Sequence, residues 1–159
     1  MTVNNNEVKE VEYTNELYHK AVIFAINRHK GQKRMDGKTE FITHPLAVAK
    51  SLEWLDEKIV AVLHDTIEDT HTTYQDIEVL FGTRVAKAVM LLTKPKDVFY
   101  ERYIGDLRKS RNKLAIAVKI ADIKHNLSSA EGIPDLDKRA RLIEKWKKAL
   151  KILEWEVVV

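Results

Sequence analysis

Between Ala61 and Thr70 the chain reads AVLHDTIEDT, with His64, Asp65, Glu68 and Asp69 following an apolar run, IVAVL. Residues four apart share one face of a helix, and each residue advances the azimuth by about 100°. A continuous helix would stack His64 over Glu68 and Asp65 over Asp69, with all four groups on one side. Burying several carboxylates together without a cation is very costly. A divalent metal held by His64 and Asp65 removes that conflict by supplying a compensating double charge. The competing reading is a solvated acidic helix end, because the stretch runs on into polar LHDTIEDTHTT.

Three other positions bear on the choice. His44 precedes Pro45, and a proline biases its predecessor toward extended geometry, so the imidazole can aim across at a neighbouring element. Alone, it reads more readily as a surface histidine near a turn. Asp122 interrupts AIAVKIAD, an otherwise apolar helix, and needs a partner; Lys119 and Lys124 are the local candidates for a plain salt bridge. Asn126 lies one turn beyond Asp122 on the same face, where it can hydrogen-bond a ligand or orient a water. Together His44, His64, Asp65 and Asp122 make a set of two imidazoles and two carboxylates. Such a set suits Mn²⁺, Fe²⁺, Zn²⁺ or Co²⁺ and leaves coordination positions open for water and substrate, which favours catalysis over a structural metal.

The elements that must position these groups read as helices. Thr14 can cap a helix through LYHKAVIFAINRHK, with Leu17, Ala21, Phe24 and Ala25 as its inner stripe and Gly31 as its end. Pro45 suits the first position of PLAVAKSLEWL, with His44 as its cap-like neighbour. A third helix is expected from about Asp56 to Asp69. Thr73 and Asp76 have capping-box spacing in TTYQDIEVLFG, which Gly82 can stop. TRVAKAVMLLT, DVFYERYIGDLRK and LAIAVKIADIKHNL follow as three more helices. Pro134 and Asp135 open a long amphipathic one, with Leu136, Ile143, Trp146, Leu150 and Leu153 inward. Alternating strand patterns are missing, apart from a terminal VVV. The expectation is an all-α bundle of about seven or eight helices, one domain over residues 1–159.

Composition narrows the chemistry. The 159 residues are 45% hydrophobic and 32% charged, a globular balance, and the net charge of +3 is compatible with a phosphorylated small molecule or with nucleic acid. The absence of cysteine excludes disulfides, thiolate nucleophiles and thiolate-ligated zinc. No run approaches the ~18 apolar residues of a membrane span. The start, MTVNNNEVKEVEY, carries no apolar segment that a secretory pathway could read, so a cytoplasmic location is expected. Basic residues gather in HKGQKRMDGK, His29 to Lys38, and in KRARLIEKWKK. The second group falls on the outer face of an amphipathic helix, ordinarily a solubilising surface, with Trp146 and Trp155 expected to pack inward. Nucleic acid is therefore not the expected partner, and the oligomeric state is left open.

The order H…HD…D, carried by HKGQKRMDGKTEFITHPLAVA, AVLHDTIEDT, VAKAVMLLTK and VKIADIKHNL, resembles the HD superfamily of metal-dependent phosphohydrolases. Within it the chain is similar to the hydrolase domain of the RelA/SpoT type, which degrades the guanosine alarmones ppGpp and pppGpp, and among those to the small hydrolase-only members. The resemblance implies a compact all-α HD-domain bundle, usually with Mn²⁺. It implies His44, His64, Asp65 and Asp122 as metal ligands, and Glu68 and Asp69 as the pair that orients and deprotonates the attacking water. It places Arg34 against a guanine base, and Asn126 and Ser129 along the nucleotide site. Lys33, Arg34 or Lys38 would neutralise remaining phosphoryl charge. The reaction implied is release of pyrophosphate from the 3′ position of ppGpp, leaving GDP. The departures fall on the substrate side: Met35 follows Arg34 where a basic residue is usual, Glu40 and Phe41 replace proline and tyrosine, and Ile123 replaces an arginine. They keep open a phosphohydrolase acting on a different nucleotide or dinucleotide phosphate.

Overall fold

A buried helix sits at the centre of the molecule. In the computed structural model, which describes residues 7–154, α3 (Leu55–Leu63) carries five consecutive residues, Ile59 to Leu63, with no solvent exposure. Fully burying a Val, Ile or Leu side chain contributes about 1.5–3 kcal/mol, so this one segment anchors the fold. Around it pack α1 (Asn15–Arg28), α2 (Thr43–Lys50), α6 (Thr83–Leu91) and α8 (Lys113–Ser128). The short α4 (Thr66–Asp69) follows α3, and α5 (Tyr74–Phe81) pairs with α6. On the other flank α7 (Tyr100–Lys109) and α9 (Leu136–Glu154) pack together and against α8, with a 3-10 turn at Ala130–Gly132 between α8 and α9. Among the described residues there is no strand, only an isolated antiparallel bridge between Lys33 and Glu40. No helix among them is long and apolar enough to cross a membrane.

The expected start signals are made. Thr14 Oγ1 accepts from Leu17 N (3.1 Å), and the structure adds a cap that the sequence reading did not name, Asn112 Oδ1 accepting from Ala115 N (3.0 Å). Thr73 and Asp76 close a reciprocal capping box, at 3.1 and 3.0 Å. The all-α expectation holds. It gains a ninth helical segment because the third helix is not continuous to Asp69: α3 stops at Leu63. His64 Nδ1 donates to Ala61 O (2.5 Å) and Thr66 Oγ1 to Leu63 O (2.7 Å), so side chains take carbonyls that a continuing helix would use. Asp65 then adopts φ −101°, ψ 0°, and the chain restarts as α4 in a new direction. The second helix also differs. It begins at Thr43, which places His44 inside its first turn, and it ends at Lys50, leaving SLEW as a connector. In α9, Trp146 and Leu153 are buried and Ile143 and Leu150 pack on the core, but Leu136 is 69% exposed, because the first turn of α9 overhangs the body. Trp155 and the terminal VVV lie outside the described residues.

Gly82 joins α5 to α6 at φ +90°, and a Cβ there would meet Val11 Cγ2 at 2.9 Å and Lys9 O at 3.1 Å. The extended segment before α1 is pinned at this point, with Lys9 N donating to Thr83 Oγ1 (2.8 Å) and Thr83 N to Lys9 O (2.9 Å). Gly82→Ala therefore combines left-handed strain with a backbone clash and is expected to cost about 2 kcal/mol or more. A thermal melt is the check, with a fall of roughly 5 °C or more for a chain of this size. An unchanged midpoint would show that the joint is soft.

Candidate active site

The break after α3 sets the site. His64 is the last group of the α3 run and Asp65 the pivot. Asp122 enters from the middle of α8 and His44 from the first turn of α2. His44 Nε2 lies 2.7 Å from Asp122 Oδ1 and 3.9 Å from Asp65 Oδ2. His64 Nε2 lies 3.0 Å from Asp65 Oδ2 and 3.4 Å from Asp122 Oδ1. His44, His64 and Asp122 are buried, and Asp65 is nearly so. The structure thus brings together all four groups that the sequence singled out from separate segments.

Hydrogen bonds behind the imidazoles assign their tautomers. A backbone carbonyl only accepts, so His64 carries its proton on Nδ1, facing Ala61 O. In the neutral ring its Nε2 is then a lone pair, buried and without a hydrogen-bond partner, close to two carboxylate oxygens. His44 Nδ1 lies 2.7 Å from His125 Nδ1. Burial, with His44 and Arg34 adding to it, pushes the His125 pKa down to about 4, so His125 is neutral at neutral pH. His44 Nε2 faces Asp122 Oδ1 at hydrogen-bond distance. His44 Nε2 and His64 Nε2, once deprotonated, and the carboxylates of Asp65 and Asp122 are four acceptors that converge. Ligands about 2.0–2.2 Å from one ion stand roughly 3–3.5 Å apart, and the observed spacings bracket that range. The donor set fits a divalent cation.

Electrostatics agree. Burial opposes charge on His64, but Asp65 and Asp122 together override it and lift its pKa well above the usual range. Burial likewise opposes charge on Asp122, and Lys119 and His64 override it, holding the carboxyl well below the usual range. The site demands positive charge, from a proton or from a metal. Lys119 Nζ meets Asp122 Oδ2 at 2.8 Å, as one of the expected local partners, whereas Lys124 pairs with Glu154 (3.1 Å).

Glu68 and Asp69 on α4 do not lie in rows with His64 and Asp65, since the helix is broken. Their carboxylates nevertheless come within 4.8 Å of that of Asp65. Glu68 Oε1 accepts from Lys94 N at 2.6 Å, which aims it from behind. Burial first, then Asp65 and Glu68, push the Asp69 pKa up to about 6, the range of a general base near neutral pH.

Two clefts meet here. One, of about 290 Å³, runs past His44, Asp65, Glu68, Asp69, Lys119 and Asp122. The other, of about 330 Å³, is walled by Asp36, Thr39, Ala47, His125, Ser129 and Ile133. Arg34, Met35 and Asn126 line both and make them continuous. Arg34 Nη2 donates to Ser129 Oγ (2.9 Å) and reaches Asn126 Oδ1 (3.5 Å), so three of the expected substrate-side residues touch one another. Lys33 stands on the rim and is ion-paired with Glu40 across the bridge rather than free in the cleft. Sequence reasoning did not assign His125 a role, although its place one turn after Asp122 puts it on the same face of α8. It also passed over Gln32 and Lys94, whose contacts to the catalytic turn run through a backbone carbonyl and a backbone N–H and leave no pattern in residue types.

The sequence profile of the HD-domain family matches residues 21–140. A GTP pyrophosphokinase rsh of Brucella melitensis biotype 1 is 40% identical over 142 residues, covering 81% of this chain and 19% of that protein. The bifunctional (p)ppGpp synthase/hydrolase SpoT of Escherichia coli strain K12 is 36% identical over 135 residues, covering 77% and 19%. The chain spans about a fifth of the length of these curated relatives. A solved structure of a metazoan ortholog of SpoT that hydrolyzes ppGpp superposes with a TM-score of 0.79 at 23% identity, covering 90% of this chain and 88% of that one, a likeness of fold. On the matched span and the identity to these relatives, the chain belongs to the HD-domain family.

Proposed function

We propose that the protein is a divalent-metal-dependent phosphohydrolase that converts guanosine 3′,5′-bis(diphosphate) to GDP and pyrophosphate. The observation that carries this reading is the placement of the four converging acceptors. They open into a cleft of about 330 Å³ through a junction lined by Arg34 and Asn126, with Glu68 and Asp69 beside them. The names and functions of the relatives supply the substrate.

His44, His64, Asp65 and Asp122 would hold the ion, and the all-nitrogen-and-oxygen set together with the family resemblance favours Mn²⁺. When bound, such an ion acidifies water and withdraws charge from a phosphoryl oxygen. The chain's own groups do the rest. Asp69 accepts the proton of the attacking water, and Glu68, held by Lys94 N, orients that water toward phosphorus. The water oxygen bonds to the phosphorus nearest the ribose as the bond to the 3′ oxygen breaks; pyrophosphate departs and the 3′ oxygen gains a proton. Arg34 lays its guanidinium on the base, and Asn126 and Ser129 hold that guanidinium in place. Lys119 adds positive charge at the cleft floor.

Purified protein supplied with Mn²⁺ and ppGpp is expected to release GDP and pyrophosphate in equal amounts, resolved by ion-exchange chromatography. Turnover of another nucleotide with none of ppGpp would move the assignment to a sister specificity. One observation favours that second reading: Glu40 engages Lys33 and subtracts a cation from the phosphate side, next to Met35. Arg34→Ala should raise KM about tenfold with kcat within about threefold, the loss of roughly 1–2 kcal/mol of stacking. A fall in kcat at constant KM would show instead that Arg34 serves the chemical step.

A further inference from the structure

We propose that Gln32 is a positioning residue that locks the base-binding loop to the catalytic turn, with its amide held in one orientation by buried His29. Gln32 Nε2 donates to the carbonyl oxygen of Asp69 at 2.9 Å. Asp69 is the last residue of α4, and its carbonyl is one of those a helix end leaves without an internal partner. The same side chain is bonded at its other end, where Gln32 Oε1 lies 2.8 Å from His29 Nδ1. Its backbone joins in as well: Gln32 N donates to His29 O (3.0 Å), and Gln32 O accepts from Phe41 N (2.9 Å). One residue thus ties the end of α1, both arms of the loop that carries Arg34, and the turn that carries Glu68 and Asp69.

The directions of these bonds follow from one fact. The Asp69 carbonyl can only accept, so the amide nitrogen of Gln32 must face it and the amide oxygen must face His29. His29 Nδ1 therefore carries the proton. Its Nε2 is a bare acceptor, and that atom is buried without any partner. His29 is 2% exposed and packs against Phe41, with ring centroids 4.7 Å apart and the planes tilted by 46°. An aromatic hydrocarbon would fill this space without stranding a polar atom. An imidazole with one nitrogen unsatisfied is worth keeping only for what the other nitrogen does, which is to stop the Gln32 amide from flipping. A flipped amide would set its oxygen against the Asp69 carbonyl and push the α4 turn off its place. A displacement of about 1 Å in a catalytic group costs up to about 100-fold in rate.

The kinetic consequence rests on the hydrolase reading above; the hydrogen-bond chain does not. Gln32→Ala and Gln32→Glu are expected to lower kcat 10- to 100-fold, with KM for ppGpp and the Mn²⁺ dissociation constant, measured by titration calorimetry, within about threefold. His29→Phe should lose a similar factor, and His29→Asn, which restores a donor near the Nδ1 position, should recover most of it. The His29→Phe/Gln32→Ala double variant should be no slower than Gln32→Ala alone, because the two residues act in series. A wild-type kcat in Gln32→Ala, or losses that multiply in the double variant, would overturn the inference. If the wild-type protein turns over no ppGpp, the substrate reading fails by itself. The imidazole ¹⁵N spectrum of the resting protein then decides: a His29 protonated at Nδ1 supports the chain, and one protonated at Nε2 ends it.

Discussion

His64→Ala and Asp65→Ala should each abolish measurable Mn²⁺ binding and lower ppGpp turnover by a factor of 10³ or more. Each removes one of four converging acceptors, and neither loss can be made up locally. The buried Nε2 of His64 has no other partner, and the neighbouring side chains that could substitute, Glu68 and Asp69, sit on a separate turn. Titration calorimetry reads the binding. Thermal melts give an independent measure, because an ion that binds only the folded state adds about 2.7 kcal/mol at a concentration 100 times its dissociation constant. For a chain of this length that is a rise of roughly 5–10 °C, present in the wild type, erased by chelator, and missing in both variants. If either variant keeps the metal-dependent rise, the four groups are not a metal site. If both lose it yet retain turnover, the ion is structural and the proposed mechanism fails.

The convergence of these residues was legible because each broke a local rule that only tertiary structure could excuse. Asp122 stands in an apolar helix, and His64 and Asp65 follow a run that must be buried. Helix existence was legible for the same kind of reason: caps such as Thr14 and Thr73 announce themselves by residue type. The break between α3 and α4 was not. It depends on two side chains, His64 and Thr66, turning back onto carbonyls one turn earlier, and both residues are also compatible with a continuing helix. The helical-row argument therefore named residues that do converge, through a geometry the chain does not adopt. Leu136 failed differently: periodicity gives a face, but it cannot say whether the first turn of that face has a neighbour. Lys33 shows the limit on the substrate side, where a loop lysine that looks free is matched by Glu40 seven residues on, a pairing created by a bridge that carries no sequence signature.

The crowding that makes the site suited to a cation also makes it unstable without one, and Asp69 is where the two demands separate. Its carboxyl titrates at about 6 in the folded protein against an ordinary 3.8, so the fold favours the protonated form. An acid with a raised folded pKa adds stability below its unfolded value. That gain is lost as pH climbs from about 4 to about 6, and above that the ionised group is a constant burden on the fold. Two pKa units correspond to about 2.7 kcal/mol, but Asp69 is open enough to water that screening leaves nearer 1 kcal/mol. Asp69→Asn removes the burden. In metal-free protein at pH 7.5 it should therefore raise the melting midpoint by about 2–4 °C, and at pH 4 it should leave the midpoint unchanged. The same substitution removes the group proposed to take the proton from water, and kcat should fall 10²- to 10⁴-fold while Mn²⁺ still binds within a few-fold of wild type. Melts at the two pH values and a single-turnover assay read both effects on one variant. A variant less stable than wild type at pH 7.5 would show that Asp69 is not repelled by Asp65 and Glu68. A stabilised variant with full turnover would show that the proton goes elsewhere, with Glu68 the next group in reach.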